Sequence, residues 1–378
     1  MRPDIRRGST LGWYPTLLAD PAEFRSLGPA WDDLYARCNA ATPFQSHAWL
    51  ASWWQQYGRR HGLRVLVLRR QEQLLAALPL VRTWRWGCRV LSPLGQSLSD
   101  FTDVLVDDEE SGTLLPAAAE ELLRVPGWDA MDFPEVRPGA TVERLHACWP
   151  RNGWRMTASC CLSMPAVPLK DQVAAMSGRS AGKLRRHLRK IDDLGVRATA
   201  VRPEQVPAAM DELLRLHNLQ WSGRGINPEH LRPRFREHLV HSAVRLVGAG
   251  QAALTEFRVG ERLVAANLSI VGTDFAGGYL YGTDPWLRTQ VDTFAMIVQH
   301  ELGQAHERGL REVSMLRGGE PHKAKWGAVA VDNQRLLFAR TPAASAYAAA
   351  VRLRAHAART IKARFPALAG QPPAPAEQ

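Results

Sequence analysis

Between residues 253 and 316 the chain sets out an order of elements that few folds accept. Strand-like runs at 253–259 and 263–271 are separated only by Gly260-Glu261, a turn short enough to force an antiparallel hairpin. A third run at 278–281 leads to a helix expected over 292–307, with Phe294, Ala295, Val298, Leu302 and Ala305 on one face, and then to a strand at 312–316. A helical crossover suits parallel neighbours, as a hairpin suits antiparallel ones. The expected fold class is therefore α/β with a mixed (α+β) sheet, antiparallel early and parallel late, splayed where the two regimes meet.

The first half shows similar grammar. Ser46 caps a helix carrying Trp49, Leu50, Trp53, Trp54 and Tyr57, and Gly58 stops it. Strands are expected at 63–68, 74–81, 90–91, 103–106 and 129–133, with helices over 114–123 and from Thr141 to Cys148. After Gly153 an extended segment leads to a basic helix over 183–191, where Leu184, Leu188 and Ile191 form one narrow apolar stripe and cations surround the rest. The second half adds a strand at 196–201, helices over 204–221 and 229–242, a strand at 244–247, a strand near 336–338 and an Ala/Arg helix over 343–364. A chain of 378 residues exceeds one ordinary core. The expected division is 1–165, a connecting basic segment 166–195, a second half 196–341, and a C-terminal helix with a disordered tail over 342–378.

Composition narrows the partner. The formal charge of +11 favours an anionic one: cofactor phosphates, a nucleic acid, an anionic glycan or a lipid surface. Cys38, Cys88, Cys148, Cys160 and Cys161 are odd in number and contain no C-x-x-C spacing, so neither a disulfide framework nor a structural metal site is expected. No apolar run reaches a membrane span, and the charged start of the chain lacks an apolar segment behind it. A cytoplasmic location is expected.

One ordered set of motifs resembles a known family, the CelD-like, FemAB-related acyltransferases of the GNAT superfamily. It comprises Pro43-Phe44-Gln45-Ser46 with the Trp-rich helix, the basic segment 183–195, and Leu216-His217-Asn218-Leu219-Gln220-Trp221-Ser222-Gly223-Arg224-Gly225. Val264-Ala265-Ala266-Asn267, Tyr279-Leu280-Tyr281-Gly282-Thr283-Asp284-Pro285 and 316–327 complete it. The resemblance implies two tandem GNAT-like halves with a splayed mixed sheet in each, the C-terminal half carrying the site. It also implies acyl-CoA, acetyl-CoA foremost, as co-substrate in the splay, with its pyrophosphate on amides at a helix N-terminus. The matching turn is Arg288-Thr289-Gln290-Val291, and it departs from the family: Val291 stands in place of a glycine, and Asp292 repels phosphate.

Acyl transfer needs a base for the nucleophile, donors for the oxyanion and an acid for the leaving group. Glu320, after two glycines at a strand end, is the candidate base; Tyr281 and Lys323 are its candidate assistants. Trp221, Arg224, Asn267, Asp284, Arg317 and His322 are candidate acceptor-binding residues. Each has a plainer reading: Asp284 before Pro285 as a turn-maker, Trp221 as a core anchor, Arg317 as half of an ion pair. His217 reads as structural, and Trp49, Trp53, Trp54, Trp84 and Trp86 as core and rim packing.

The expected activity is N- or O-acyl transfer from acyl-CoA to an amine or hydroxyl of a saccharide, lipid precursor or small metabolite, with no metal. Polysaccharide biosynthesis is the expected setting. Transfer from aminoacyl-tRNA, as in the Fem relatives, is the alternative, and it accounts better for Val291 and the positive charge. A non-catalytic binding member of a biosynthetic assembly is the third. The basic helix suits tRNA or a polysaccharide, and the C-terminal helix suits weak contact with an anionic membrane.

Overall fold

Two capping residues, Ser46 and Asp292, start the two helices most visible in the sequence. Ser46 Oγ accepts the Trp49 amide at 3.2 Å, and Asp292 Oδ1 accepts that of Ala295 at 3.1 Å. The computed structural model describes residues 12–223, 225–318 and 321–364. Its first half comprises β1 (Tyr14–Leu18), α1 (Pro21–Ser26), α2 (Gly28–Ala36), α3 (His47–Tyr57), β2 (Gly62–Arg70), β3 (Gln73–Arg85) and β4 (Cys88–Pro93). It continues with β5 (Leu105–Val106), α4 (Ser111–Arg124), β6 (Ala130–Val136), α5 (Thr141–Ala147) and β7 (Gly153–Pro165). Helices α6 (Leu169–Ala174) and α7 (Gly178–Asp193) lead into the second half. There follow β8 (Arg197–Ala200), α8 (Val206–Trp221), α9 (Pro233–Gly248), β9 (Ala252–Val259), β10 (Arg262–Val271) and β11 (Phe275–Thr283). Last come α10 (Pro285–Gln290), α11 (Thr293–Glu307), β12 (Glu312–Arg317), α12 (Pro321–Ala324), β13 (Val329–Ala339) and α13 (Ala343–Arg364).

The strands join one mixed sheet in the order β1-β2-β3-β4-β6-β13-β7-β12-β11-β10-β9-β8, with β5 pairing β3. The order has the same form from either end. Antiparallel strands lead to one parallel pair, β4 with β6 and β11 with β12. Beyond each pair lies a strand of the other half: β13 pairs β6, β7 pairs β12, and β7 and β13 pair antiparallel at the centre. The architecture is two halves of similar strand order that exchange their last strands within one sheet.

One expected element is absent. Residues 244–247 continue α9 to Gly248 instead of forming a strand. Their β-branched content favours a strand locally, but Phe235, Leu239, Ala243 and Leu246 recur at helical spacing and are all buried. Tertiary packing overrides the local preference.

On one face α3 packs against α9 in a shared core. Trp49 is buried there, its ring centroid 4.4 Å from that of His238, while its indole N–H donates to Ser99 Oγ at 2.9 Å. Burial holds the His238 imidazole neutral, pushing its pKa down to about 3. Each large apolar side chain buried in such a core contributes roughly 1.5–3 kcal/mol. On the opposite face α4 covers the first half, while α7 and α11 cover the second, with Ala181, Leu184, Leu188 and Ile191 of α7 turned inward. The tail from 367 to 378 lies outside the described residues.

Candidate functional site

Strands β11 and β12 pair only at Phe275–Glu312 and Ala276–Val313, although β11 runs on to Thr283 and β12 to Arg317. The separation has a local cause. The β10–β11 ladder slips between Leu268 and Ser269, which pair with Leu280 and Gly278, so Tyr279 is the extra residue of a bulge. Glu301, on the inner face of α11, fills the bulge. Its Oε1 accepts from Asn267 Nδ2 at 2.8 Å and Ser269 Oγ at 2.9 Å, and the carboxyl also takes the Gly278 amide. Burial pushes the Glu301 pKa up, and these three donors oppose it.

Two glycines are required at this point. A Cβ on Gly278 would lie 2.5 Å from Glu301 Oε1, and one on Gly277 would lie 2.4 Å from the Ser314 carbonyl oxygen. The chain thus reaches β12 at Gly277 and then departs from it. Further along, a Cβ on Gly282 would lie 2.3 Å from the His217 amide nitrogen, so this glycine lets α8 cross β11 closely.

The β12 side of the gap ends in an unusual conformation. Leu316 has a positive φ of 50°, a region that a branched side chain rarely enters. The Lys323 ammonium is buried and donates to the carbonyls of Met315 and Arg317, both at 3.0 Å, and of Gly318 at 3.3 Å. Carbonyls on a strand that has left its partner need donors, and Lys323 supplies them. Arg317 turns toward the first half, its Nε donating to Asp100 Oδ1 at 2.5 Å with Glu135 Oε1 3.9 Å from Nη1. Burial would lower the Arg317 pKa, but Asp100 and Glu135 outweigh it and hold the guanidinium charged.

The structure divides the remaining expected residues. Tyr281 lies on β11, half-buried, with its side chain packed toward the α7–α11 core. Asn267 is fully buried in the Glu301 cluster, and its Oδ1 has no hydrogen-bond partner among the described residues. Asp284 caps α10 through the Trp286 amide at 2.8 Å and pairs with Arg262 at 2.8 Å. Arg288 Nη1 donates to the Gln220 carbonyl at 3.2 Å. Thr289 and Gln290 are exposed, and Val291 is buried in the second-half core. Trp221 ends α8, half-buried, its ring 6.3 Å from that of His217. Glu320 and Arg224 lie outside the described residues, as does the side chain of His322. Trp84 and Trp86 are not core residues, being 71% and 52% exposed, and the Trp86 ring packs at the rim 5.5 Å from that of Tyr347.

His230 carries no sequence signal and proves to be part of a relay beside the gap. His217 Nδ1 lies 2.8 Å from the Tyr281 carbonyl oxygen, His217 Nε2 lies 3.1 Å from His230 Nδ1, and His230 Nε2 lies 3.4 Å from Asn227 Nδ2. A carbonyl only accepts, so His217 donates from Nδ1 and accepts at Nε2. His230 then donates from Nδ1 and accepts from the Asn227 amide. The chain is complete with both rings neutral. Burial, and then the neighbouring His217, push the His230 pKa down to about 4, while burial lowers that of His217. Among the described residues no cluster of His, Cys, Asp and Glu is arranged to hold a metal.

The helix end next to the gap is already occupied. Besides Ala295, no ligand is needed to explain Asp292: its carboxylate sits at the positive end of α11, and Asp284 sits likewise on α10.

Comparison with known proteins agrees with this geometry. Residues 178–324, which run from α7 through the gap to α12, match the family described as an acetyltransferase (GNAT) domain. No curated protein matches the sequence. Among solved structures, FemX aligns with a TM-score of 0.57 at 9% identity, covering 86% of this chain and 97% of its own. A conserved protein of unknown function from Bacteroides thetaiotaomicron aligns at 0.54 with 13% identity, covering 86% and 100%. L-PGS from Bacillus licheniformis aligns at 0.51 with 11% identity, covering 85% and 92%. At these identities the likeness is one of fold. The acetyltransferase (GNAT) match is confined to residues 178–324, the region that contains the gap.

Proposed function

We propose that the protein transfers an acyl group from acyl-CoA, held along the open edge of β11, to an amine or hydroxyl of a saccharide, lipid precursor or small metabolite. The observation that carries this reading is the parting of β11 from β12 after Ala276 and Val313. Beyond that point the strand edges have lost each other as partners, and an amide-bearing arm such as that of CoA can pair with them as an added strand does. The CelD-like assignment within the superfamily rests on the sequence motifs.

In the reaction the acceptor lone pair attacks the thioester carbonyl carbon, giving a tetrahedral oxyanion. The C–S bond then breaks, the thiolate takes a proton, and the acceptor loses one. Main-chain amides on the free β11 edge suit the oxyanion. Tyr281 is assigned to protonate the leaving thiolate, and Glu320 to take the acceptor proton. Lys323 acts by holding the end of β12 in place.

A second reading is favoured by one observation, the capping of α11 by Asp292. A carboxylate there opposes a pyrophosphate. An aminoacyl-tRNA carries its acyl ester on a ribose and does not need that helix end. Lys183, Arg185, Arg186, Arg189 and Lys190 are exposed on α7, and none has an ion-pair partner among the described residues. They suit a polyanion.

Calorimetry with acetyl-CoA and longer acyl-CoAs tests the first reading, and absence of binding at millimolar ligand sinks it. Salt-dependent binding of aminoacyl-tRNA that drops in a Lys183→Ala, Arg186→Ala, Arg189→Ala variant supports the second; unchanged binding in that variant removes it.

A further inference from the structure

Among the described residues, the non-glycine residues with a positive φ are Gln71, Trp86, Ser97, Glu135 and Leu316. Gln71 and Trp86 form the β2–β3 and β3–β4 hairpin turns, where that conformation is ordinary. The other three, at 72°, 55° and 50°, converge on one place. Such backbone strain persists only where the surroundings enforce it, and it collects at functional sites. Leu316 and Glu135 sit in ladder slips: β12 slips on β7 between Ser314 and Arg317, and β13 slips on β6 between Gln334 and Leu336, where Pro134 and Glu135 stand opposite. Ser97 lies in the loop after β4, between Gln96 and Asp100, whose side chains bond Arg85 and Arg317.

Strand alternation fixes the face. Leu337 of β13 packs in the core under α13, while Val331 pairs with Cys161, which packs in the α3–α9 core. Asn333 and Arg335 share that alternation and lie between the two apolar cores, roughly 7 Å apart along the strand. Each belongs to a polar cluster. Around Asn333, Glu135 Oε2 accepts from Asn333 Nδ2 at 3.0 Å, and the Arg317 guanidinium lies 2.5 Å from Asp100 and 3.9 Å from Glu135. Around Arg335, Asp132 accepts from Arg335 Nε at 2.8 Å and from the Tyr347 hydroxyl at 2.6 Å, with Arg85 Nη1 3.7 Å away. The first cluster therefore sets two carboxylates against one guanidinium, and the second sets two guanidiniums against one carboxylate. Arg317, Arg85 and Arg335 keep 33%, 36% and 26% of their side chains exposed, so both clusters reach solvent. The first abuts the gap: Arg317 ends β12, and the hydroxyl of Tyr279, the bulge residue of β11, donates to the Leu98 carbonyl at 2.9 Å.

We propose that this trench receives the acceptor, and that the acceptor is an amine carrying an anionic group, a carboxylate or a phosphate monoester, roughly 7 Å from its nitrogen. The proposal rests on the acyl-transfer reading and narrows it. The surplus carboxylate beside the gap suits an ammonium, and the surplus guanidinium at the far end suits the anion, because its planar fork matches carboxylate and phosphate oxygens. Asn333 is fully buried, and its Oδ1 has no partner among the described residues, so an acceptor atom beside the carboxylates calls for a donor. A neutral hydroxyl would leave the charge at both ends uncompensated. The ammonium gives one proton to solvent before its nitrogen attacks the thioester carbonyl carbon. As the C–N bond forms and the C–S bond breaks, its second proton goes to Glu320 and the thiolate takes one from Tyr281, as assigned above.

The test is calorimetry of the full chain with 6-aminohexanoate and 5-aminopentyl phosphate, against hexylamine and hexanoate. The two dipolar probes are expected to bind about tenfold more tightly than either singly charged one, and the tighter of them tells carboxylate from phosphate. Glu135→Gln is expected to weaken 6-aminohexanoate about tenfold and leave hexanoate unchanged; Arg85→Gln is expected to weaken it equally and leave hexylamine unchanged. Loss of fold does not give that crossed pattern, and Asp132 keeps Arg335 and Tyr347 in the Arg85 variant. Thiol release from acyl-CoA, measured separately, distinguishes this proposal from the reading beneath it. Crossed binding with no thiol release from any acyl-CoA removes acyl transfer and leaves the trench as a site for a dipolar ligand. Three results overturn the proposal: no binding of the dipolar probes at millimolar concentration, equal binding of dipolar and singly charged probes, or wild-type affinity for 6-aminohexanoate in both variants.

Discussion

Gly278 and Glu301 fit each other with no room for a methyl group: the glycine amide bonds the buried carboxyl, and a Cβ would stand 2.5 Å from Oε1. This contact sits inside the bulge that turns β11 away from β12. Gly278→Ala is therefore expected to be destabilising by about 1–3 kcal/mol through overpacking and to reduce acyl transfer out of proportion to the loss of fold. Glu301→Gln keeps an acceptor for the same three donors and is expected to retain most activity. Glu301→Leu strands those donors and costs about 2–4 kcal/mol. Equal activity in the Gln and Leu variants, at matched folding, contradicts the role given to the bulge.

Asp292→Ala separates the two donors. Loss of the cap costs about 1 kcal/mol of stability. If a pyrophosphate belongs at α11, removing the carboxylate tightens acyl-CoA binding several-fold in calorimetry. If the donor is an aminoacyl-tRNA bound elsewhere, its affinity stays within about twofold, since a distant charge is screened beyond roughly 10 Å.

His230 gives a pH dependence whose sign follows from its depressed pKa. Above pH 6.5 the ring is neutral whether folded or unfolded. Below it the unfolded chain gains a proton that the fold refuses down to about pH 4, so the stabilisation is lost as pH falls through that window. A shift of this size amounts to at most about 3 kcal/mol. Glu301 acts in the opposite sense, because its raised pKa removes stability as pH rises. The difference between wild type and His230→Asn isolates the histidine: the variant's deficit in melting temperature is expected to shrink from pH 7 to pH 4. A constant deficit contradicts the neutral relay.

Trp49→Ala removes a fully buried ring from the α3–α9 core together with its bond to Ser99. Chemical denaturation is expected to show a loss of about 3–5 kcal/mol, whereas Trp84→Ala, on the exposed hairpin, stays within about 0.5 kcal/mol of wild type.

What the sequence disclosed and what it withheld divide by range. Ser46, Gly58, Gly260 and Asp292 act through neighbours a few residues away, so their helices and hairpin were legible. So was the mixed sheet, because a tight turn and a helical crossover each dictate strand direction. The exchange of β7 and β13 was not, since pairing across more than a hundred residues leaves no local pattern. Asn267 and Ser269 could be placed on one strand face, but their partner Glu301 was hidden. Its one trace is a carboxylate between Val298 and Leu302 on the apolar side of α11. His230 lies in a short 3-10 turn, Pro228–Leu231, ahead of α9, where the sequence suggested only the start of a helix. Glu320, the base chosen from sequence, falls between the described segments, so its assignment rests on the motif, and Glu320→Gln is expected to abolish activity in a folded protein.

The most direct measurement is amide hydrogen exchange with and without a millimolar acyl donor, acetyl-CoA first and aminoacyl-tRNA second. If β11 and β12 hold the donor arm between them, exchange slows at 277–283 and 314–318 with at least one donor. Protection confined to other elements, or absent with both donors, would contradict the assignment of the gap as the acyl site.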